Sequence, residues 1–329
     1  MNDLAPLLQG FFSDRLIRQR QASPHTVCAY RDTITLLLGF VHQRTGRQPA
    51  TLSIADLDPE TVAAFLAHLE TDRGNTTSTR NTRLAAIHSL FRYAALRDPE
   101  HAALIQRVLA IPPKRTDRAI LGYLTRPECD ALIDAPDRAT RLGRRDHALL
   151  QLAVQTGLRL SELTGLTRGD VHLGTGPHVR CHGKGRTDRC TPLTRPTTQT
   201  LKAWLSECSG NDDAPLFPSS RGGRLSGDAV QRLVAKHAAT GAATCPSLTG
   251  KTVTPHTLRH SAAMALLHAG VDLTVIALWL GHESTDVTQI YLHANMTTKE
   301  RALARLPTGP DSMTRYRPTD KLLAYLNSL

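Results

Sequence analysis

The sequence has no hydrophobic run that could cross a membrane. None of its apolar stretches approaches the roughly 18 to 20 residues that a spanning helix needs. The beginning, MNDLAPLLQGFFSDRL, also lacks the basic segment followed by an apolar segment that marks a secretory signal. We therefore expect a cytoplasmic protein that does not act in a membrane.

Closely paired cysteines are missing as well. The six cysteines are scattered without a C-x-x-C pair, which is typical of free thiols in a reducing compartment and argues against a disulfide framework. HVRCH, residues 178 to 182, and Cys190 offer His and Cys ligands close together, as a zinc site would. The segment alternates like a strand, however, so neighbouring side chains point to opposite faces and cannot converge on one ion. We expect neither a metal nor a cofactor.

Acidic residues are outnumbered by basic ones. The 40 Lys and Arg exceed the 29 Asp and Glu, so the formal net charge is +11 and the pI is near 9.8. Such a charge attracts a polyanion, either nucleic acid or an acidic membrane surface, and charge alone does not choose between them. With 329 residues and 40% hydrophobic residues, the chain is long and apolar enough for two globular domains.

Start and stop signals divide the chain into four parts. Residues 1–109 read as an all-α domain, with one helix capped by Ser23 and stopped by Gly46, a second from Asp58 and a third over 78–96. Residues 110–120, AIPPKRTDRAI, combine two prolines with basic side chains, which predicts an extended linker. A second domain covers 121–305, and a tail, 306–329, ends in the amphipathic stretch DKLLAYLNSL.

The second domain is predicted to be mainly helical with a small antiparallel sheet. We expect helices over 126–135 and 144–155, short strands over 170–192, and further helices to about residue 305. A GKG turn, 183–185, between HVRCH and DRCTPL indicates a β-hairpin.

Candidate DNA-binding side chains lie on the third helix and in the linker. Taken singly, each helix residue is more typical of a solvated surface than of a nucleic-acid contact. The candidates are Arg80, Asn81, Arg83, Lys114, Arg115 and Arg118.

Four segments combine residue types that suit phosphate chemistry: TGLRLSEL, HGKGRTDR, TPHTLRHSAA and LGHESTDVTQIYLHA. His256 and Arg259 are three residues apart near a helix start, so both project from one face beside its positive end. Arg159 and Arg259 can donate in pairs to the oxygens of one phosphate. Because the pKa of tyrosine in water is about 10, Tyr291 becomes a nucleophile only where cations stabilise its phenolate. Each of these residues alone has an ordinary structural explanation. The functional prediction rests on their occurrence together in one chain.

Together these segments, over about residues 120–300, resemble the catalytic pattern of the tyrosine recombinases, or phage integrase family. The helical N-terminal part looks like the family's core-binding domain, on weaker patterns. The resemblance implies a recombinase that cleaves and rejoins DNA through a 3′-phosphotyrosyl intermediate, with Lys184 as general acid and Tyr291 as nucleophile. The implied catalytic set is Arg159, Lys184, His256, Arg259, His282 and Tyr291.

Several alternatives stay open at this point. The ending resembles integrases of bacterial mobile elements, which implies integration, excision or transposition, and a topoisomerase or resolvase would share the same chemistry. A catalytically silent DNA-binding accessory protein is the alternative from another class. The expected partner is a double-stranded recombination site bound by a homotetramer, alone or with other recombinases, and the tail helix docks on a neighbouring protomer or on its own domain.

Overall fold

The computed structural model describes residues 4–116, 122–182 and 188–281. The chain forms two compact units, Met1–Arg118 and Ala119–Leu329, and the point of division falls within the predicted linker. Among the helices of the described ranges, none is both long enough and apolar enough to cross a bilayer.

The described part of the first unit is helical, and the three helices predicted there are confirmed. The hydroxyl of Ser23 accepts the N–H of Thr26 at 3.2 Å, and the chain leaves that helix at Gly46 with a left-handed φ of 71°. The helices are α1 (Leu4–Gly10) continued by a π-helical segment (Phe11–Gln19), α2 (Pro24–Thr45), α3 (Pro59–Thr71), α4 (Thr77–Ala94) and α5 (Ala102–Leu109).

The core of the first unit forms where the apolar faces of these helices meet. Phe11, Phe65 and Phe91 are at most 1% exposed and come from three different elements. Helix α1 was not predicted individually from the sequence, where the first predicted helix begins after Ser23. Packing against α4 explains the glycine at position 10, because a Cβ there would lie 2.4 Å from the hydroxyl oxygen of Tyr93.

The described part of the second unit is mainly helical with one small sheet, as predicted, and the helices predicted beyond residue 281 lie outside it. Helix α7 begins three residues earlier than expected, because Thr140 caps it by accepting the N–H of Gly143 at 3.0 Å. The elements are α6 (Arg126–Asp134), α7 (Arg141–Thr156), α8 (Leu160–Gly165), β1 (Val171–His172), β2 (His178–His182), β3 (Asp188–Pro192), α9 (Arg195–Ser206), α10 (Gly227–Gly241), α11 (Pro255–His268) and α12 (Leu273–Leu280).

The three strands form an antiparallel sheet in the order β1-β2-β3. Val179 on β2 lies opposite Thr191 on β3, and both are buried. The next residue of β2, Arg180, lies opposite Cys190, and both are exposed. This alternation gives the sheet one core face and one solvent face. The predicted GKG turn, 183–185, lies outside the described residues.

Gly157 ends α7 where that helix meets α11 and α12. Its φ is 63°, and a Cβ there would approach Leu280 Cδ2 to 2.8 Å and Ala262 Cβ to 3.0 Å. Backbone conformation and packing therefore both require a glycine at this junction.

We expect Gly157→Ala to lower the free energy of unfolding of the second unit by about 2–4 kcal/mol, through strain at positive φ and overpacking. Urea unfolding of the full chain measures this. The matched control is Gly165→Ala, because a Cβ at Gly165 meets no atom within 4 Å. Equal stability of the two variants would contradict the packing argument.

A buried carboxylate connects the start of α6 to the segment before α11. Glu128 is 1% exposed, and its oxygens accept from Ser247 Oγ at 2.6 Å and from Lys251 Nζ at 2.7 and 2.8 Å. The N–H of Thr125 donates to the same carboxylate at 2.8 Å. Burial would raise the pKa of Glu128, but these hydrogen bonds outweigh burial and hold it at about 2.

A carboxyl whose pKa is depressed by folding stabilises the protein above its unfolded pKa of about 4.5 and loses that contribution as pH falls toward 2. The contribution is at most about 3 kcal/mol. In Glu128→Gln, thermal stability should therefore fall less steeply between pH 5 and pH 2.5 than in the wild type. Asp130→Asn, which removes an exposed ion pair with Arg126 on the same helix, should keep the wild-type slope. An unchanged slope in Glu128→Gln would refute the assignment.

Candidate functional site

Three of the six predicted catalytic residues lie in the described part of the second unit, and they line one cleft. Arg159, His256 and Arg259 surround a cleft of about 400 Å³, together with residues of α10 and the start of α11. Lys184, His282 and Tyr291 lie outside the described residues. The cleft therefore brings together every predicted catalytic side chain that the structure describes.

Helix α11 supplies two of these side chains. Thr254 caps it by accepting the N–H of Thr257 at 3.2 Å, so the helix begins at Pro255 and places His256 and Arg259 one turn apart. His256 is exposed, and its ring centroid lies 4.1 Å from that of His260. Although the residue as a whole is exposed, desolvation of its ring, and then the charge of Arg259, lower the pKa of His256, so its neutral form prevails at pH 7.

Arg159 stands at the start of α8, where Glu162 holds both its backbone and its side chain. The N–H of Arg159 donates to Glu162 Oε2 at 2.7 Å, and Nη1 donates to Oε1 at 3.0 Å. The Arg159 side chain is 29% exposed, whereas that of Glu162 is 2% exposed. Glu162 therefore orients Arg159 and closes the cap at the start of α8.

Three guanidiniums converge on consecutive carbonyls at the C-terminal end of α12. Arg189 Nε donates to the carbonyl of residue 279 at 3.2 Å, Arg259 Nη2 donates to that of residue 280 at 2.8 Å, and Arg159 Nη2 donates to that of residue 281. These carbonyls carry the negative end of the helix dipole, which favours cations. Arg259 also donates to Gly157 O at 2.7 Å and is 5% exposed.

Arg189 was missed as a site residue in the sequence, although it lies in the segment HGKGRTDR. Its Nη1 and Nη2 donate to the two oxygens of Glu162 at 2.7 and 2.8 Å, a bidentate ion pair. Burial would raise the pKa of Glu162, but the hydrogen bonds from Arg189 and Arg159 hold it below its ordinary value. Among the described residues, these three guanidiniums and one ionised carboxylate give a net positive charge, as an anion-binding site requires.

The described residues offer no site for a metal ion. Within 4–116, 122–182 and 188–281, no three His, Cys, Asp or Glu side chains group as ligands would. In the hairpin, Cys181 is buried and Cys190 is exposed on the opposite face. Burial raises the pKa of Cys181 to about 12, so this thiol stays protonated.

In the first unit, two of the predicted DNA-binding residues hold the connector instead of projecting freely. Arg80 is 7% exposed, and its Nη1 donates to Pro112 O at 3.2 Å. Asn81 accepts the N–H of Lys114 at 3.0 Å and donates to its carbonyl at 2.7 Å. The Lys114 ammonium is paired with Glu70 at 2.6 Å. These contacts hold the connector against α4, and DNA contact by the three residues stays a prediction.

The remaining candidates differ in their surroundings. Arg83 is partly buried, and burial, followed by the nearby charge of Arg73, lowers its pKa. Arg115 is exposed, and Arg118 lies outside the described residues. His88, on the same helix, is buried and bonded to the carbonyl of residue 108 at 3.1 Å. DNA binding by Arg83, Arg115 and Arg118 also stays a prediction.

Comparison with known proteins identifies the chain's family. The profile of the phage integrase family matches residues 122–298, and that of the phage integrase N-terminal SAM-like domain matches residues 9–98. The integrase/recombinase y4rC of Sinorhizobium fredii is 56% identical over 99% of this chain and 98% of its own length. The tyrosine recombinase XerC of Pelobacter propionicus is 33% identical over 89% of this chain and 93% of its own length.

A solved structure shares the fold. The Tn1549 transposon integrase, in complex with transposon right end DNA, superimposes with a TM-score of 0.69 at 16% identity, covering 91% of this chain and 99% of that one. The same family is indicated by both profiles, by the two relatives and by the residues of the cleft. The chain belongs to the phage integrase family and is a tyrosine-type site-specific recombinase.

Proposed function

We propose that the protein cleaves and rejoins DNA strands through a 3′-phosphotyrosyl link formed by Tyr291. The observation that carries this proposal is the convergence of Arg159, Arg259 and His256 on one cleft beside the start of α11. Two guanidiniums at one cleft can neutralise the non-bridging oxygens of a phosphodiester. His282 follows directly on residue 281, whose carbonyl Arg159 already binds, and Tyr291 lies nine residues further along the chain.

The proposed step conserves atoms and charge without a cofactor. The Tyr291 oxygen bonds to phosphorus while the bond from phosphorus to the 5′ oxygen breaks. The phenol proton passes to a base, for which the neutral ring of His256 is suited, and Lys184 donates a proton to the departing 5′ oxygen. Attack by the 5′-hydroxyl of another strand reverses the step and reseals the DNA. His282 donates to a phosphate oxygen.

We assign the activity to integration, excision or transposition of a mobile element. The relative at 56% identity, named an integrase/recombinase, supports this assignment more strongly than the XerC relative at 33%. The fold shared with a transposon integrase bound to transposon end DNA is compatible with it. A resolvase acting at a fixed site, as the XerC likeness suggests, is the second candidate.

We further propose a homotetramer on paired DNA sites in the cytoplasm, alone or with other recombinases. The lambda integrase core complex, whose fold is similar at a TM-score of 0.64 and 18% identity, is a dimer bound to a core site. The helix predicted for DKLLAYLNSL, residues 320–329, lies outside the described residues. Its apolar residues suit docking on a neighbouring protomer, because so short a helix would not be stable alone.

Tyr291→Phe removes one hydroxyl and should abolish covalent protein-DNA adducts while leaving DNA affinity unchanged. Adducts are measured on a suicide substrate in the presence of a chelator. The matched control is Tyr316→Phe, which should form adducts as the wild type does. Adducts in Tyr291→Phe would point to another nucleophile. A wild type that binds DNA without forming adducts would favour the catalytically silent accessory protein.

A further inference from the structure

Arg189 is the one guanidinium of the described site that the proposed mechanism does not use. It comes from β3 and makes a bidentate ion pair with Glu162 at 2.7 and 2.8 Å, while its Nε donates to the carbonyl of residue 279 at 3.2 Å. Its side chain is 14% exposed. A Cβ at Gly281 would lie 2.7 Å from Arg189 Nη1, so the guanidinium lies directly against that peptide.

We propose that Arg189 is a positioning residue that holds Arg159 in place through Glu162. The inference rests on the proposed function, in which Arg159 binds the phosphate. Glu162 accepts from Arg159 and Arg189 at each of its oxygens, so the carboxylate forms a bridge between two arginines. Without the Arg189 fork, the carboxylate that orients Arg159 loses two of its four hydrogen bonds.

The geometry favours a positioning effect over a purely stabilising one. The attraction within a buried ion pair offsets little more than the free energy needed to remove both charges from water. A protein with an apolar pair of similar volume in its place is often equally stable. The charged pair instead fixes an orientation, because the planar guanidinium of Arg189 binds both oxygens of Glu162. The ammonium of a lysine cannot form the same paired hydrogen bonds. The carbonyls of residues 279 and 281 are held by Arg189 and Arg159, so the same bridge also sets the chain segment that leads to His282.

A second route to catalysis exists and must be separated from the first. Strand β3 begins at Asp188, four residues after Lys184, so loss of Arg189 could act by displacing the general acid. The two routes predict different responses to the leaving group. DNA with sulfur in place of the bridging 5′ oxygen has a leaving group of low pKa that needs no proton, so it rescues a defect in the acid and not a defect in phosphate binding.

The experiment compares single-turnover cleavage by the full-length protein on oxygen- and sulfur-bridged DNA, together with the DNA Kd. The main variant is Arg189→Lys. Arg159→Ala and Lys184→Ala supply the two reference patterns. Arg180→Lys is the matched control, because Arg180 lies on the neighbouring strand, on the solvent face, with its side chain 49% exposed.

Arg189→Lys should slow cleavage by about 10- to 100-fold on both substrates, as expected for a misplaced phosphate-binding group. Its DNA Kd should change by less than about threefold, because the lost interaction matters in the transition state. Arg180→Lys should cleave like the wild type. Glu162→Gln should show the same pattern as Arg189→Lys, and the double variant should be no slower than the slower single variant, since both act through Arg159.

Three outcomes would overturn the inference. A wild-type rate for folded Arg189→Lys would mean that Arg189 positions nothing. Rescue by sulfur would assign its effect to Lys184, and a Kd that rises as much as the rate falls would make Arg189 a DNA-binding charge. If Arg189→Lys does not fold, the near-isosteric Glu162→Gln decides by the same criteria. Failure of the proposed function would look different, because the wild type itself would then form no adduct.

Discussion

The candidate site depends on the C-terminal end of α12. Carbonyls 279–281 each accept a hydrogen bond from a different arginine, and these arginines come from the start of α8, from β3 and from α11. A helix end leaves its last carbonyls without partners in the helix, and a buried end must satisfy them by other means. Here cationic side chains satisfy them, so elements that are distant in the sequence meet at one place.

Gathering three guanidiniums in one place creates repulsion that the protein must offset without losing its attraction for an anion. Glu162 and the carbonyl dipoles of α12 offset part of that charge. Within the part of the site that the structure describes, one carboxylate faces three cations, so the net charge there stays positive, as phosphate binding requires. Gly157 permits this arrangement, because its lack of a side chain lets α12 approach the end of α7 closely.

Those parts of the structure that depend on neighbouring residues could be predicted from the sequence. The caps of α2 and α3 and the one-turn spacing of His256 and Arg259 are all local patterns, and the structure contains each of them. Apart from the pairing of Arg159 with Arg259, features that depend on distant partners could not be predicted. Arg189 binds a carboxylate that is 27 residues away in the sequence, and Asn81 binds backbone atoms 33 residues away. The residues around each side chain therefore give no indication of its partner.

The central claim is that Arg159 and Arg259, held by the end of α12, bind one phosphate of the DNA. A crystal structure of the Tyr291→Phe protein on an uncleaved duplex tests it most directly. We expect the non-bridging oxygens of the target phosphate to lie about 2.7–2.9 Å from nitrogens of both guanidiniums, with the pair between Arg189 and Glu162 intact. A phosphate bound away from either guanidinium, or an arrangement in which Arg189 leaves Glu162, would contradict the account.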